Sequence, residues 1–143
     1  MSQNFNNHAR FVPLYHYFLA LLVLLVFIGS CVNLYHSWGD SNRFYSASLL
    51  VAVSVIMILT AYFARSFPLK AQDRAIRAEE NLRHFVLTGK LLDPRLQIGQ
   101  IIALRFAGDA EFPKLAKEAA EKNLDSKTIK KAITQWREDN DRV

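Results

Sequence analysis

Two long apolar stretches decide what this chain can fold into. The first, residues 14–34, runs for 21 positions broken only by His16 and by small or weakly polar groups, Gly29, Ser30, Cys31 and Asn33. The second, residues 44–67, runs for 24 positions and carries one charge, Arg65, near its end. At about 1.5 Å of rise per residue, either stretch spans a hydrocarbon core of about 30 Å. In such a core a lone segment satisfies all its backbone N–H and C=O groups only as a helix. The sequence therefore predicts two transmembrane helices, 14–34 and 44–67, joined as a hairpin.

The rest of the 143 residues leaves room for one small domain. Charge is divided unevenly: residues 1–69 hold three basic groups and one acidic group, whereas residues 70–143 hold fifteen and twelve. The net charge of +5 thus splits into +2 and +3, and the C-terminal part has the mixed surface of a water-facing domain, not of a polybasic arm. A single cysteine excludes an internal disulfide and any cysteine-based zinc cluster.

Taken in order, residues 1–13 are a polar N-terminal segment rich in amides, with Arg10 its one positive charge and Pro13 suited to a first helical turn. The run Ile28-Gly29-Ser30-Cys31 superficially fits a lipoprotein cleavage box, but a 30-residue leader with one basic residue argues for a retained helix. Residues 35–43 (YHSWGDSNR) form a connecting loop, too short for a domain. Tyr35, Trp38, Phe44 and Tyr45 gather at that end, and Tyr15, Tyr17, Tyr62 and Phe63 at the other, as two interfacial aromatic belts. Arg10, Arg65, Lys70, Arg74 and Arg77 flank the end opposite the loop, which offers only Arg43 beside Asp40. The positive-inside bias then places both termini in the cytoplasm and the loop outside. Within the second span, Ser48 and Ala52 form a small-x-x-x-small pair where another helix can approach, from the same chain or from another molecule.

Residues 69–143 predict a small cytoplasmic helical domain, and the fold class is all-α. Ser66-Phe67-Pro68 marks a boundary, with Pro68 either opening a new helix or kinking a continuous one. From 69 to 88 the pattern is helical, with Gly89 as its stop. Ala71, Ala75, Ala78, Leu82, Phe85 and Val86 make an apolar stripe expected to face the core, with Asp73–Arg77 and Glu79–Arg83 as i,i+4 pairs. Arg74 and Arg77 lie close enough to a bilayer to meet anionic headgroups, at about 1 kcal/mol each. Three shorter helices follow, the last running Ile129, Ala132, Ile133 and Trp136 at i, i+3, i+4 and i+7. Phe85, Phe106, Phe112 and Trp136 are the expected large core residues.

No residue set carries a recognisable chemistry. His16 and His36 stand twenty residues apart on one helix, roughly 30 Å, too far to share a metal or haem. The bland alternative is a His16 bonded to a carbonyl or headgroup, with His8, His36 and His84 in solvent. Residues 110–138 have the outline of a helix-turn-helix around Asn123-Leu124-Asp125, with Lys127, Lys130 and Lys131 on its second helix. Against nucleic acid stand Glu111, Glu118, Glu121, Asp125, Glu138, Asp139 and Asp141, which repel phosphates. Phosphate loops, nucleophile elbows and paired intramembrane carboxylates are missing, so neither an enzyme nor a carrier is expected, and no cofactor.

The segments QNFNNHARFVPLYHY, QDRAIRAEENLRHFVLTGK, GQIIALRFAGDAEFPKLAKEAAE and IKKAITQWREDNDRV together carry a likeness over nearly the whole chain. They resemble a family of small two-span bacterial membrane proteins of unknown function. The resemblance implies a bacterial inner-membrane location and an uncleaved first span, and no catalytic residue or cofactor. The expected role is an accessory subunit or scaffold, holding a cytoplasmic partner or further copies of itself at the membrane. Arg65, Lys70, Arg74, Arg77 and Arg83 are the candidate lipid or partner contacts, and Ser48 and Ala52 the candidate helix-packing pair. The alternatives are a membrane-tethered nucleic-acid-binding regulator and a haem- or metal-binding membrane subunit.

Overall fold

The structure, a computed structural model, describes residue 5 and residues 12–139. The N-terminal segment, with His8 and Arg10, therefore lies largely outside the described residues, as does Asp141. Among the described residues there are five α-helices and no strand: α1 (Ala20–His36), α2 (Ser41–Thr88), α3 (Ile98–Leu104), α4 (Phe112–Lys122) and α5 (Ser126–Ala132). A π-helical stretch, Leu14–Leu19, leads directly into α1. The chain divides into two compact units: Phe11–Phe67, and Met1–Arg10 together with Pro68–Val143.

The first unit is a helical hairpin. Leu14–His36 and Ser41–Thr88 are each long and apolar enough to cross a membrane, by length and composition. The turn is tighter than the loop expected over 35–43, because both helices grow into it. Ser37 donates to the Asn33 carbonyl at 2.7 Å, closing α1. Gly39 takes a positive φ of 95°, which a residue without Cβ adopts at no steric cost. The Asp40 carboxylate then accepts the Asn42 and Arg43 amides at 3.1 and 3.2 Å, the capping role that starts α2 at Ser41.

Two cross-contacts, Ser30 with Ser54 and Tyr15 with Ala61, step in opposite directions along the two helices, so they run antiparallel. The Ser30 and Ser54 hydroxyls meet at 3.2 Å, each also within reach of a carbonyl of its own helix, Phe27 and Val51. The Tyr15 hydroxyl donates to the Ala61 carbonyl. The face of α2 that meets α1 is built on Ala47 and Ser54, both buried, with Val51 and Ala61 partly so. Ser48 and Ala52 sit beside that face: Ser48 is half-buried and donates to the Tyr45 carbonyl, and Ala52 is exposed.

In the second unit, α2 continues. The helix runs through Pro68 without a break, so the boundary expected at 66–68 is not a helix end. The missing N–H leaves the Ala64 carbonyl without its usual partner, and good helix formers on both sides carry the helix past it. Gly89, at φ 74°, stops it, its N–H donating to the Phe85 carbonyl at 2.7 Å.

The core gathers Ile76 of α2, Leu92 and Leu96 of the connection, Ile101 and Leu104 of α3, and Phe106 and Phe112. Leu115 and Ala119 of α4 join it, with Ile129 and Ile133. Phe106, Phe112, Leu104 and Ile129 are fully enclosed. Two expectations need correction. The last helix ends at Ala132, and Trp136 lies in an extended segment bridged antiparallel to Ala107, not one turn further along a helix. Gly108 donates to the Gln135 carbonyl at 2.9 Å and Arg137 to that of Phe106 at 2.8 Å, so this segment bonds to a neighbour instead of to itself. The second correction concerns α2. Leu82, Phe85 and Val86 face outward, at 64%, 50% and 74% exposure, while Ile76 and Glu80 face in.

Candidate functional site

The inward face of α2 in the second unit follows the spacing Ile76, Glu80, Arg83, steps of four and three residues along one side of a helix. Glu80 and Arg83 are an ion pair at 3.0 Å, with side chains only 7% and 11% exposed. Arg83 does more than pair with Glu80. Its Nε donates to Asp109 Oδ1 at 2.7 Å and its Nη2 to the Ala107 carbonyl at 2.6 Å. The guanidinium lies over the Phe112 ring, 4.3 Å from its centroid. His84 sets its ring edge-on to Phe112, and its Nδ1 stands 2.7 Å from the Lys90 carbonyl. That carbonyl only accepts, so Nδ1 carries the proton. His84 is half-buried, not the solvent group the sequence suggests.

A second arginine holds the other side of the same segment. Arg105, 6% exposed, pairs with Asp139 at 2.7 Å and lies over the Phe106 ring at 4.8 Å. Trp136 packs on that ring too, with centroids 5.3 Å apart. Glu111 receives the Thr134 hydroxyl and amide and the Gln135 amide, at 2.6 to 3.1 Å. Burial pushes the Glu111 carboxyl up, but the Thr134 hydroxyl and the surrounding amides outweigh it and hold the pKa below the ordinary glutamate value. Across the unit, Gln100 donates to the Leu124 carbonyl at 2.8 Å and accepts the Gln97 amide at 2.7 Å, pinning the turn between α4 and α5.

These polar groups answer one another, so the arrangement fixes the shape of the unit. Among the described residues no three histidine, cysteine or carboxylate side chains gather as a metal site. His16 keeps its Nδ1 3.0 Å from the Val12 carbonyl in the first helical turn, and His36 is exposed beside Tyr35. In the hairpin unit, an open depression of about 400 Å³ lies at the turn, lined by Trp38, Gly39, Asp40, Ser41 and Phe44.

The helix-turn-helix outline survives only in part. Asn123, at φ 46°, ends α4, and Asp125 caps α5 by accepting the Thr128 amide at 3.1 Å. However, α5 has just seven residues, and Lys130 lies over the Phe106 ring instead of projecting freely. Of the five cations named from the sequence, Lys70, Arg74 and Arg77 are exposed, Arg65 is half-buried, and Arg83 is drawn inside. The i,i+4 spacing of Glu79 and Arg83 predicts an exposed pair. Glu80 and Asp109 take the place of Glu79, and no local spacing announces a partner 26 residues away.

The profile of a family of unknown function, DUF6526, matches residues 1–143. The chain belongs to DUF6526. The DUF6526 match takes in both compact units, the apolar hairpin and the charged helical unit together. No curated protein and no solved structure matches the sequence.

Proposed function

We propose that this DUF6526 protein is a membrane-anchored scaffold or accessory subunit, with a two-span hairpin in a bacterial cytoplasmic membrane and a small helical domain in the cytoplasm. The observation that carries the membrane part is the exposure of the apolar helices: only 11% of the most apolar window of each is buried. A soluble core helix is enclosed by its own protein, whereas Leu21, Leu24, Leu25, Ile28, Leu50, Val53 and Ile56 are each about half exposed. A contiguous surface of that kind needs a covering as apolar as itself, and lipid supplies one around the whole circumference. The inside placement of the termini rests on Arg65, Lys70, Arg74 and Arg77 at one end against Arg43, paired with Asp40, at the other.

The scaffold part rests on what the second unit does with its polar groups. Its buried arginines and carboxylates hold the fold, and its outer surface keeps Lys70, Arg74 and Arg77 beside an uncovered apolar stripe on α2. A unit whose buried polar groups are spent on its own shape and whose outer surface is apolar and basic suits holding something. Purification from native membranes in a mild detergent, followed by mass spectrometry, tests this. A stoichiometric partner or a defined oligomer is expected, and a strictly monomeric particle without companions sinks the scaffold reading.

A further inference from the structure

The exposed apolar positions on the second part of α2 follow a strict order. Ala71, Ala75, Ala78, Leu82 and Phe85 alternate steps of four and three residues, the 3.5-residue repeat that winds two helices around each other. All five are exposed, Leu82 and Phe85 at 64% and 50%. The helix meets its own unit through a different face, Ile76, Glu80 and Arg83, so the stripe is not a remnant of the core. With Ala75 and Leu82 at the a positions of the heptad, Ala71, Ala78 and Phe85 are the d positions. The exposed Arg74 then falls at g and the exposed Glu79 at the next e. In a parallel two-stranded coil, a g residue faces the e residue five positions later on the other helix. Arg74 and Glu79 are five apart and opposite in charge, and two-fold symmetry forms the pair twice.

We propose that residues 71–85 form a parallel coiled coil with a second copy of the chain, Arg74 of each copy paired with the partner's Glu79. Alanines along the seam let the two backbones approach closely, while Leu82 and Phe85 supply most of the buried area. Such a seam is weak in dilute solution. Membrane anchoring removes that weakness, since it sets both copies in the same direction and raises their local concentration. In this the inference rests on the membrane reading above. An antiparallel pair would set g against g and e against e, and would separate Arg74 from the partner's Glu79.

The test uses the full chain in lipid vesicles, with C31S as background and single cysteines introduced by A71C, A75C or R77C. Mild oxidation is expected to give disulfide dimers of A71C and A75C, and roughly tenfold less of R77C, whose position points away from the seam. An antiparallel pair sets each d position against an a position, 71 against 82, so failure of A71C to cross-link overturns the parallel arrangement. Equal yields at all three positions overturn the seam altogether. The charges give an independent readout: R74E or E79R is expected to weaken cross-linking of A75C about tenfold, and the double swap R74E/E79R to restore it. A double swap no better than either single change also overturns the pairing. Alkaline carbonate washing of the same vesicles separates the two readings. Protein stripped into the supernatant yet cross-linked at 71 and 75 sinks the membrane reading and leaves the seam standing. Protein that stays in the pellet and cross-links indifferently does the reverse.

Discussion

Two side chains set the character of the second unit. Arg83 is almost enclosed, and removing it strands Glu80, which is only 7% exposed. Breaking a buried pair from one side costs about 3–5 kcal/mol, because the remaining charge has nothing to face. R83M is therefore expected to lower stability by that order, measured by denaturant unfolding of the helical signal in detergent. Substituting both partners, E80L with R83M, is expected to recover most of the loss, since neither member of the pair is then left as a buried charge. Glu111 adds a pH dependence. Its folded pKa lies below the ordinary value of 4.5, so its bonds stabilise the folded state in full above that pH. They are lost as the pH falls through the depressed folded value. Amide exchange at Thr134 and Gln135 is expected to accelerate in that acid window, and E111Q to flatten the acceleration. Exchange that stays slow through the window in the unaltered protein would show that Glu111 does not hold the segment.

At the scale of elements, the sequence disclosed where helices form, the run after Ala132 excepted, but not which faces turn inward. The apolar helices and the Gly89 stop are local signals, set by hydrophobic run length and by left-handed backbone. Helices cover both apolar runs, and α2 stops at Gly89. The orientation of α2 after Pro68 was not legible, because an apolar stripe ordinarily marks the core face. Here, ion pairing with Asp109 and stacking on Phe112 turned Glu80 and Arg83 inward. The extended run of Ile133 to Trp136 was hidden for a related reason, since helical spacing continues past the point where Glu111 captures the Thr134 and Gln135 amides. Pro68 left two readings open, and α2 runs on through it. The Gly89 stop gives the prediction for this scale. G89A forces a Cβ into a left-handed conformation and is expected to cost about 1–2 kcal/mol. Thermal unfolding of the full chain checks it, and an unchanged midpoint would mean that the end of α2 relaxes freely.

For the whole molecule, the proposed topology makes opposite predictions for two sites of labelling. In a C31S background, S41C at the hairpin turn is expected to react with a membrane-impermeant maleimide on intact cells. K114C, on the exposed side of α4, is expected to react only after permeabilisation. Labelling of K114C in intact cells would reverse the orientation, and labelling of both would remove the barrier between them. The extended segment after α5 has a further consequence, which belongs to the birth of the chain. Trp136 covers Phe106, Asp139 neutralises Arg105, and the Thr134 and Gln135 amides satisfy Glu111. Synthesis runs from the N-terminus at about 5–20 residues per second, so the segment that completes this core is translated last among the described residues. Until it emerges, the nascent unit holds α3 and α4 with the Phe106 ring uncovered and the buried Arg105 without its carboxylate. A ribosome stalled before Ile133 is therefore expected to display an apolar surface of the kind chaperones recognise.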